Sequence, residues 1–336
     1  MRAISRRDVL TALGAGALLR AQETKIVTDV NVVNVFATVH DKKGQIVRDL
    51  KQDDFNIEEE GKPQTVKYFS RESDLPLKLG LAVDTSGSER RMIPEERSAS
   101  YKFLDQVIRQ DKDLAFVLHF DSEVELLQDF TGSKQQLQKA LNELDAAPPR
   151  QLNRRDRNDP GQPRRHGGTT LYDAILLASD ELMKKQTGRK ALILLTDGVD
   201  TASRSTMTDA IEAAQKSDTL VYSVYFVDEQ GFGPGGGGVF GPPRMGGHRG
   251  GMGRGPQPDG RKVLERFADE TGGTFFEHKK QSLDDIYRQL EDELRSMYSL
   301  GYTSNRDTGP GFRTIKVTTR EKNLVVHARD GYYAMK

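Results

Sequence analysis

An α/β fold, with a doubly wound and mainly parallel sheet inserted in a small β-sandwich built from the N- and C-terminal segments, is what this 336-residue sequence predicts. Three observations lead there. Short apolar runs alternate with helical stretches through the middle of the chain, the pattern of a parallel sheet covered on both faces. β-patterned segments stand before and after that middle, and none of them could stand alone as a domain. The length fits about two domains, and 35% hydrophobic with 30% charged residues suits a soluble globular protein.

The chain opens with a processing segment. Arg2, Arg6 and Arg7 precede a short apolar run over residues 9–19, then Ala21 before Gln22. That is the three-part layout of a secretory signal, too short to span a bilayer. Ser5-Arg6-Arg7-Asp8-Val9-Leu10 resembles a twin-arginine export signal, with Val9 where that pattern prefers Phe. Residues 1–21 are therefore expected to be removed. The product is expected to be exported, periplasmic or secreted, with no transmembrane segment in the mature chain.

Residues 25–71 follow with β character. A β-branched run over 27–39 ends at the turn Asp41-Lys42-Lys43-Gly44. A strand over 55–58 meets the turn Glu60-Gly61-Lys62-Pro63, and another runs over 65–69. Residues 75–297 form the second domain. Apolar runs at 77–83, 114–120, 191–195 and 220–227 read as buried strands. Helical patterns lie at 94–108, 134–144, 171–185, 207–216, 261–270 and 283–297, with 274–277 as an edge strand. β pattern returns in 298–333, whose expected partner is 25–71. Residues 145–167 hold Arg150, Arg154, Arg155, Arg157, Arg164 and Arg165 among prolines, and 231–255 are rich in glycine; both read as surface loops.

Lys+Arg and Asp+Glu both number 50, so no overall field favours nucleic acid or an anionic membrane. Cysteine is absent, which removes disulfides, thiolate metal sites and a cysteine nucleophile.

The chemistry gathers in three strings. Asp84-Thr85-Ser86-Gly87-Ser88 closes the first buried strand, Thr196-Asp197-Gly198 closes a later one, and Gly167-Gly168-Thr169-Thr170 precedes a helix. Ligands of open parallel sheets collect at the carboxyl ends of the strands. Oxygen donors without His or Cys suit a hard divalent cation, Mg²⁺ ahead of Ca²⁺ or Mn²⁺, whereas zinc would want nitrogen or sulfur. Singly, each string also reads as an ordinary cap or turn. Their joint placement favours a metal site made by Asp84, Ser86, Ser88, Thr169 and Asp197.

In order and rough spacing these strings resemble the metal-ion-dependent adhesion site of von Willebrand factor A (VWA) domains, over about residues 75–297. The flanks look like those of exported bacterial VWA-related proteins. The resemblance implies that Ser86, Ser88 and Thr169 bind the metal directly, with Asp84 and Asp197 acting mostly through water. It implies an open metal position filled by an acidic side chain of a partner protein, and a sheet with one antiparallel edge strand. The long loop before Thr169 and the glycine-rich insertion depart from compact members. The expected function is thus metal-dependent protein docking rather than catalysis. A metal-assisted hydrolase and a structural domain without metal are the alternatives. A hydrolase would need a base: His119 falls in a buried run and reads as core, and His166 sits in the Arg-rich loop.

Overall fold

Continuous apolar runs in the middle of the chain form strands hidden on both faces, and these set the architecture. The computed structural model describes residues 32–71, 75–87, 92–146, 168–226, 259–305 and 309–334. The expected export signal at 1–21 lies outside them.

The central sheet has six strands in the order β10-β9-β8-β5-β6-β7. These are β5 (Leu77–Asp84), β6 (Leu114–Phe120), β7 (Val124–Thr131), β8 (Arg189–Thr196), β9 (Thr219–Tyr225) and β10 (Phe275–Glu277). All neighbours are parallel except β6 and β7. Helices α1 (Ile93–Val107), α2 (Lys134–Ala146) and α6 (Leu283–Arg295) cover one face, packing Phe103, Leu141 and Leu290 on Leu79, Leu81 and Val83. On the other face, α3 (Leu171–Leu177), α4 (Met207–Lys216) and α5 (Gly260–Thr271) pack Ile175, Ala214 and Phe267 against Ala82, Leu192 and Leu194. Phe116 crosses Gly80 so closely that no side chain fits there. The fold class is the one expected: a mixed α/β unit with a mainly parallel sheet, plus antiparallel sheets.

Those antiparallel sheets draw strands from both flanks. The four-stranded sheet β13-β1-β11-β4 joins β1 (Val32–His40) and β4 (Tyr68–Arg71) to β11 (Tyr298–Thr303) and β13 (Val325–Ala328). The second, β14-β12-β2-β3, joins β2 (Phe55–Glu59) and β3 (Lys62–Gln64) to β12 (Gly311–Thr319) and β14 (Gly331–Ala334). Val35, Phe55, Ile57, Tyr298, Leu300 and Ile315 share one core between them.

Some elements differ from expectation. Glu60 and Gly61 both take positive φ, 51° and 72°, which makes a two-residue hairpin turn, so Lys62 and Pro63 already belong to β3. The strand expected over 65–69 begins only at Tyr68. The helix expected over 171–185 is α-helical to Leu177, widens to a π-turn over Ala178–Leu182 and tightens over Met183–Lys185. The antiparallel edge strand that the resemblance implies is β7, in a stretch where the residue pattern marks no strand.

Candidate metal centre

Strand order reverses between β5 and β8, because the chain adds strands on one side of β5 up to β7 and on the other from β8 onward. Loops leaving such a reversal diverge and open a crevice at the carboxyl ends of the strands. Asp84 ends β5 there, fully buried. Its Oδ1 accepts the Ser86 N–H at 2.9 Å, and its Oδ2 accepts the Thr196 hydroxyl at 2.6 Å. Thr196 Oγ1 accepts the Gly198 N–H in turn, at 3.1 Å. Burial pushes the Asp84 carboxyl up to about 6, against the bonds from Thr196 and Ser86 that favour ionisation, and the charge of Asp197 adds to the rise. The two carboxylates are thus close enough to repel.

Asp197 Oδ1 accepts the Val199 N–H at 2.9 Å. Gly198 follows with φ +73°, its backbone against that of Gly260, and neither glycine has space for a Cβ. This contact seats the Asp197 loop on the first turn of α5.

Thr169, 7% exposed, is held from both sides. Its N–H donates to Thr201 Oγ1 at 2.9 Å, and its carbonyl accepts the Thr201 and Ala202 N–H groups at 3.0 Å. The Thr170 N–H and hydroxyl both reach the Asp121 carbonyl, at 2.8 and 3.1 Å. The first turn of α3 has orphan donors, which are satisfied from outside the helix. Tyr172 N–H donates to Asp200 Oδ2 at 3.2 Å and Asp173 N–H to Ser203 Oγ at 3.1 Å. Asp173 reciprocates by accepting the Arg204 and Ser205 N–H groups at 3.0 and 2.9 Å. Burial opposes ionisation of Asp173, but those donors outweigh it and hold its carboxyl below the ordinary range.

Asp84, Ser86, Thr169 and Asp197 therefore lie on loops bonded to one another at one end of the sheet. Ser88 lies outside the described residues, as do His166, the six arginines of the Arg-rich loop and the glycine-rich insertion. Among the described residues no group of three or more His, Cys, Asp or Glu is placed to hold a metal. A cation here would accordingly depend on Ser and Thr hydroxyls beside Asp84 and Asp197, a set of hard oxygen donors.

Sequence reasoning quoted Thr196 without giving it a role and passed over Thr201 and Asp121. Thr196 left one signal, a hydroxyl closing an otherwise apolar buried run, since such a group needs a partner. Thr201 and Asp121 act through long-range contacts that no local pattern announces. His119 does lie in the buried strand β6, but with polar partners: Nδ1 is 3.0 Å from Thr85 Oγ1 and Nε2 is 3.3 Å from Glu125 Oε2.

Residues 79–199 match the family model of the von Willebrand factor type A domain. Among similar solved structures are proximal thread matrix protein 1 from the mussel byssus, at 13% identity and TM-score 0.45, covering 70% of this chain and 51% of that one. BatB, a conserved hypothetical protein from Bacteroides thetaiotaomicron, has 13% identity and TM-score 0.42, covering 66% of this chain and 100% of that one. A von Willebrand factor type A protein from Catenulispora acidiphila has 12% identity and TM-score 0.46, covering 84% and 74%. The chain spans about half the length of the mussel protein, which has also been solved with zinc in its MIDAS motif. No curated protein matches the sequence.

Proposed function

We propose that the von Willebrand factor type A segment, residues 79–199, works as a cation-dependent docking surface for an acidic residue of another protein. The observation that carries this reading is the gathering of Asp84, its partner Thr196 and the adjoining Asp197 at the strand-order reversal, with Asp84 accepting the Thr196 hydroxyl at 2.6 Å. A divalent cation bound there would supply positive charge that offsets the negative charge of Asp84 and Asp197 and receives a further carboxylate. Ser86, Ser88 and Thr169 would hold it through hydroxyl oxygens, with Asp84 and Asp197 acting through water. Mg²⁺ suits this set first, with Ca²⁺ and Mn²⁺ next.

Residues 1–21, read as a cleaved twin-arginine signal, support export and a docking site in the periplasm or outside the cell. Among the described residues no helix is long and apolar enough to cross a membrane.

Thermal melts test the cation. A ligand that binds only the native state at a hundredfold excess over Kd stabilises it by about 2.7 kcal/mol. Midpoints should rise with Mg²⁺ or Mn²⁺ and fall back with EDTA. The double change Asp84→Ala, Ser86→Ala should remove that response and leave a folded chain. Identical wild-type midpoints with cation and with chelator would overturn the reading. Capture of a partner from the exported fraction should then need both Mg²⁺ and an intact Asp84.

A further inference from the structure

The β6–β7 hairpin carries polar contacts that the docking site as described does not use. His119 sits in β6 between Leu118 and Phe120, both fully buried, and is itself 9% exposed. An imidazole at such depth is costly unless both nitrogens are bonded. Glu125 supplies one partner at 3.3 Å, and its own side chain is 71% exposed. Thr85 supplies the other at 3.0 Å. We propose that His119, oriented by Glu125, is a positioning residue for the cation site and acts through Thr85; the inference rests on the docking reading above.

The direction of the bonds follows from donor chemistry. A carboxylate only accepts, so the ring proton facing Glu125 is on Nε2. In that tautomer Nδ1 is an acceptor, and the Thr85 hydroxyl donates to it. The competing acceptor for that hydroxyl, the Phe120 carbonyl, is farther away at 3.4 Å.

Thr85 is the residue between Asp84 and Ser86, and it is only 4% exposed. Its N–H donates to the Phe120 carbonyl at 2.9 Å, so backbone and side chain both tie it to β6. Asp84, one residue earlier, accepts the Thr196 hydroxyl of β8 at 2.6 Å, so the two adjacent residues are tied to the strands on either side of β5. Loss of the imidazole would free Thr85 to rotate and would loosen the direction in which Asp84 and Ser86 present their oxygens. Partners that orient a metal ligand without touching the metal typically contribute 10–100-fold in metal affinity.

The full chain is titrated with Mn²⁺, following free ion by electron paramagnetic resonance, alongside melts without metal. His119→Leu and Thr85→Val should weaken Mn²⁺ binding about tenfold. His119→Asn, whose Oδ1 stands near the lost Nδ1, should restore most of that affinity. Glu125→Ala, on the exposed end of the chain of contacts, should weaken binding several-fold and leave the metal-free melting point in place. Imidazole ¹⁵N shifts in wild type should report the Nε2–H tautomer. Wild-type affinity in both Thr85→Val and Glu125→Ala, or an Nδ1–H tautomer, overturns the positioning role while cation docking stands. A wild-type chain that binds no Mn²⁺ overturns both.

Discussion

Asp84 meets opposing demands at one carboxyl group. Its folded-state value near 6 lies above the usual 3.8, so its stabilising contribution is complete below about pH 3.8 and lost as pH rises through about 6. At neutral pH and without cation the ionised group destabilises the fold. Asp84→Asn should therefore raise metal-free stability at pH 7.5 by on the order of 1–2 kcal/mol, less than the roughly 1.4 kcal/mol per pKa unit implies, because Thr196 must exchange its acceptor. The same change should abolish the cation response. Urea melts with Mg²⁺ or EDTA measure both, and a variant no more stable than wild type in EDTA would contradict the burial argument. The placing of Asp84, Ser86 and Asp197 at strand ends, and of Thr169 just before α3, was legible because short oxygen-rich strings stand there. The bonds of Thr196 and Thr201 and the pairing of Thr85 with His119 were not, since each joins residues brought together only by the folded sheet.

Among elements, α3 and the loop after β8 depend on one another. Asp200 and Ser203 satisfy donors at the start of α3, and Asp173 returns two bonds to the loop. Asp200→Ala should cost about 1 kcal/mol, as loss of a helix cap does. It should also weaken cation binding, because Thr169 hangs from Thr201 in the same loop. Denaturant melts and Mn²⁺ titration check the pair, and a loss of stability with unchanged affinity would uncouple loop from site. The buried strands and most helices were legible from periodicity. β7 was not, because its register against β6 shifts between Ala115 and Val117 and again between Val117 and Leu118, so its apolar positions do not alternate. The turn before β3 is two residues shorter than the pattern Glu60-Gly61-Lys62-Pro63 suggests, since β3 is an edge strand and an edge strand accepts proline.

Across the whole molecule the β-sandwich packs at the end of the sheet away from the candidate metal centre. Both chain crossings lie there, and Arg189, which opens β8, bonds to the carbonyls of Leu75, on the first crossing, and Leu294, in the last turn of α6 before the second. The joining surface includes His40, whose ring meets that of His327 edge-on at 5.1 Å and whose Nε2 lies 3.4 Å from Glu293. Burial, then the charge of His40, lowers the His327 pKa below 6.5, against Glu293 and Asp269. Stability from His327 is thus present above about pH 6.5 and lost as pH falls through its folded value. His327→Gln should flatten the decline of stability between pH 7 and 5, the reverse of Asp84's contribution, and an unchanged pH profile would exclude it. That both flanks need each other was legible because neither could bury its own β-faces. The pairing itself was not, since strand partners 260 or so residues apart leave no mark on local pattern. This connectivity also has a timetable. β11 lies between β1 and β4, so both early strands leave the ribosome without the neighbour that joins them. At 5–20 residues per second the delay is on the order of 10–50 s. During it the edges of β1 and β4 are open to other chains, a hazard of any unpaired strand. Nascent chains stalled before Tyr298 should be cut by protease within residues 32–71, and release of the remaining residues should close that window.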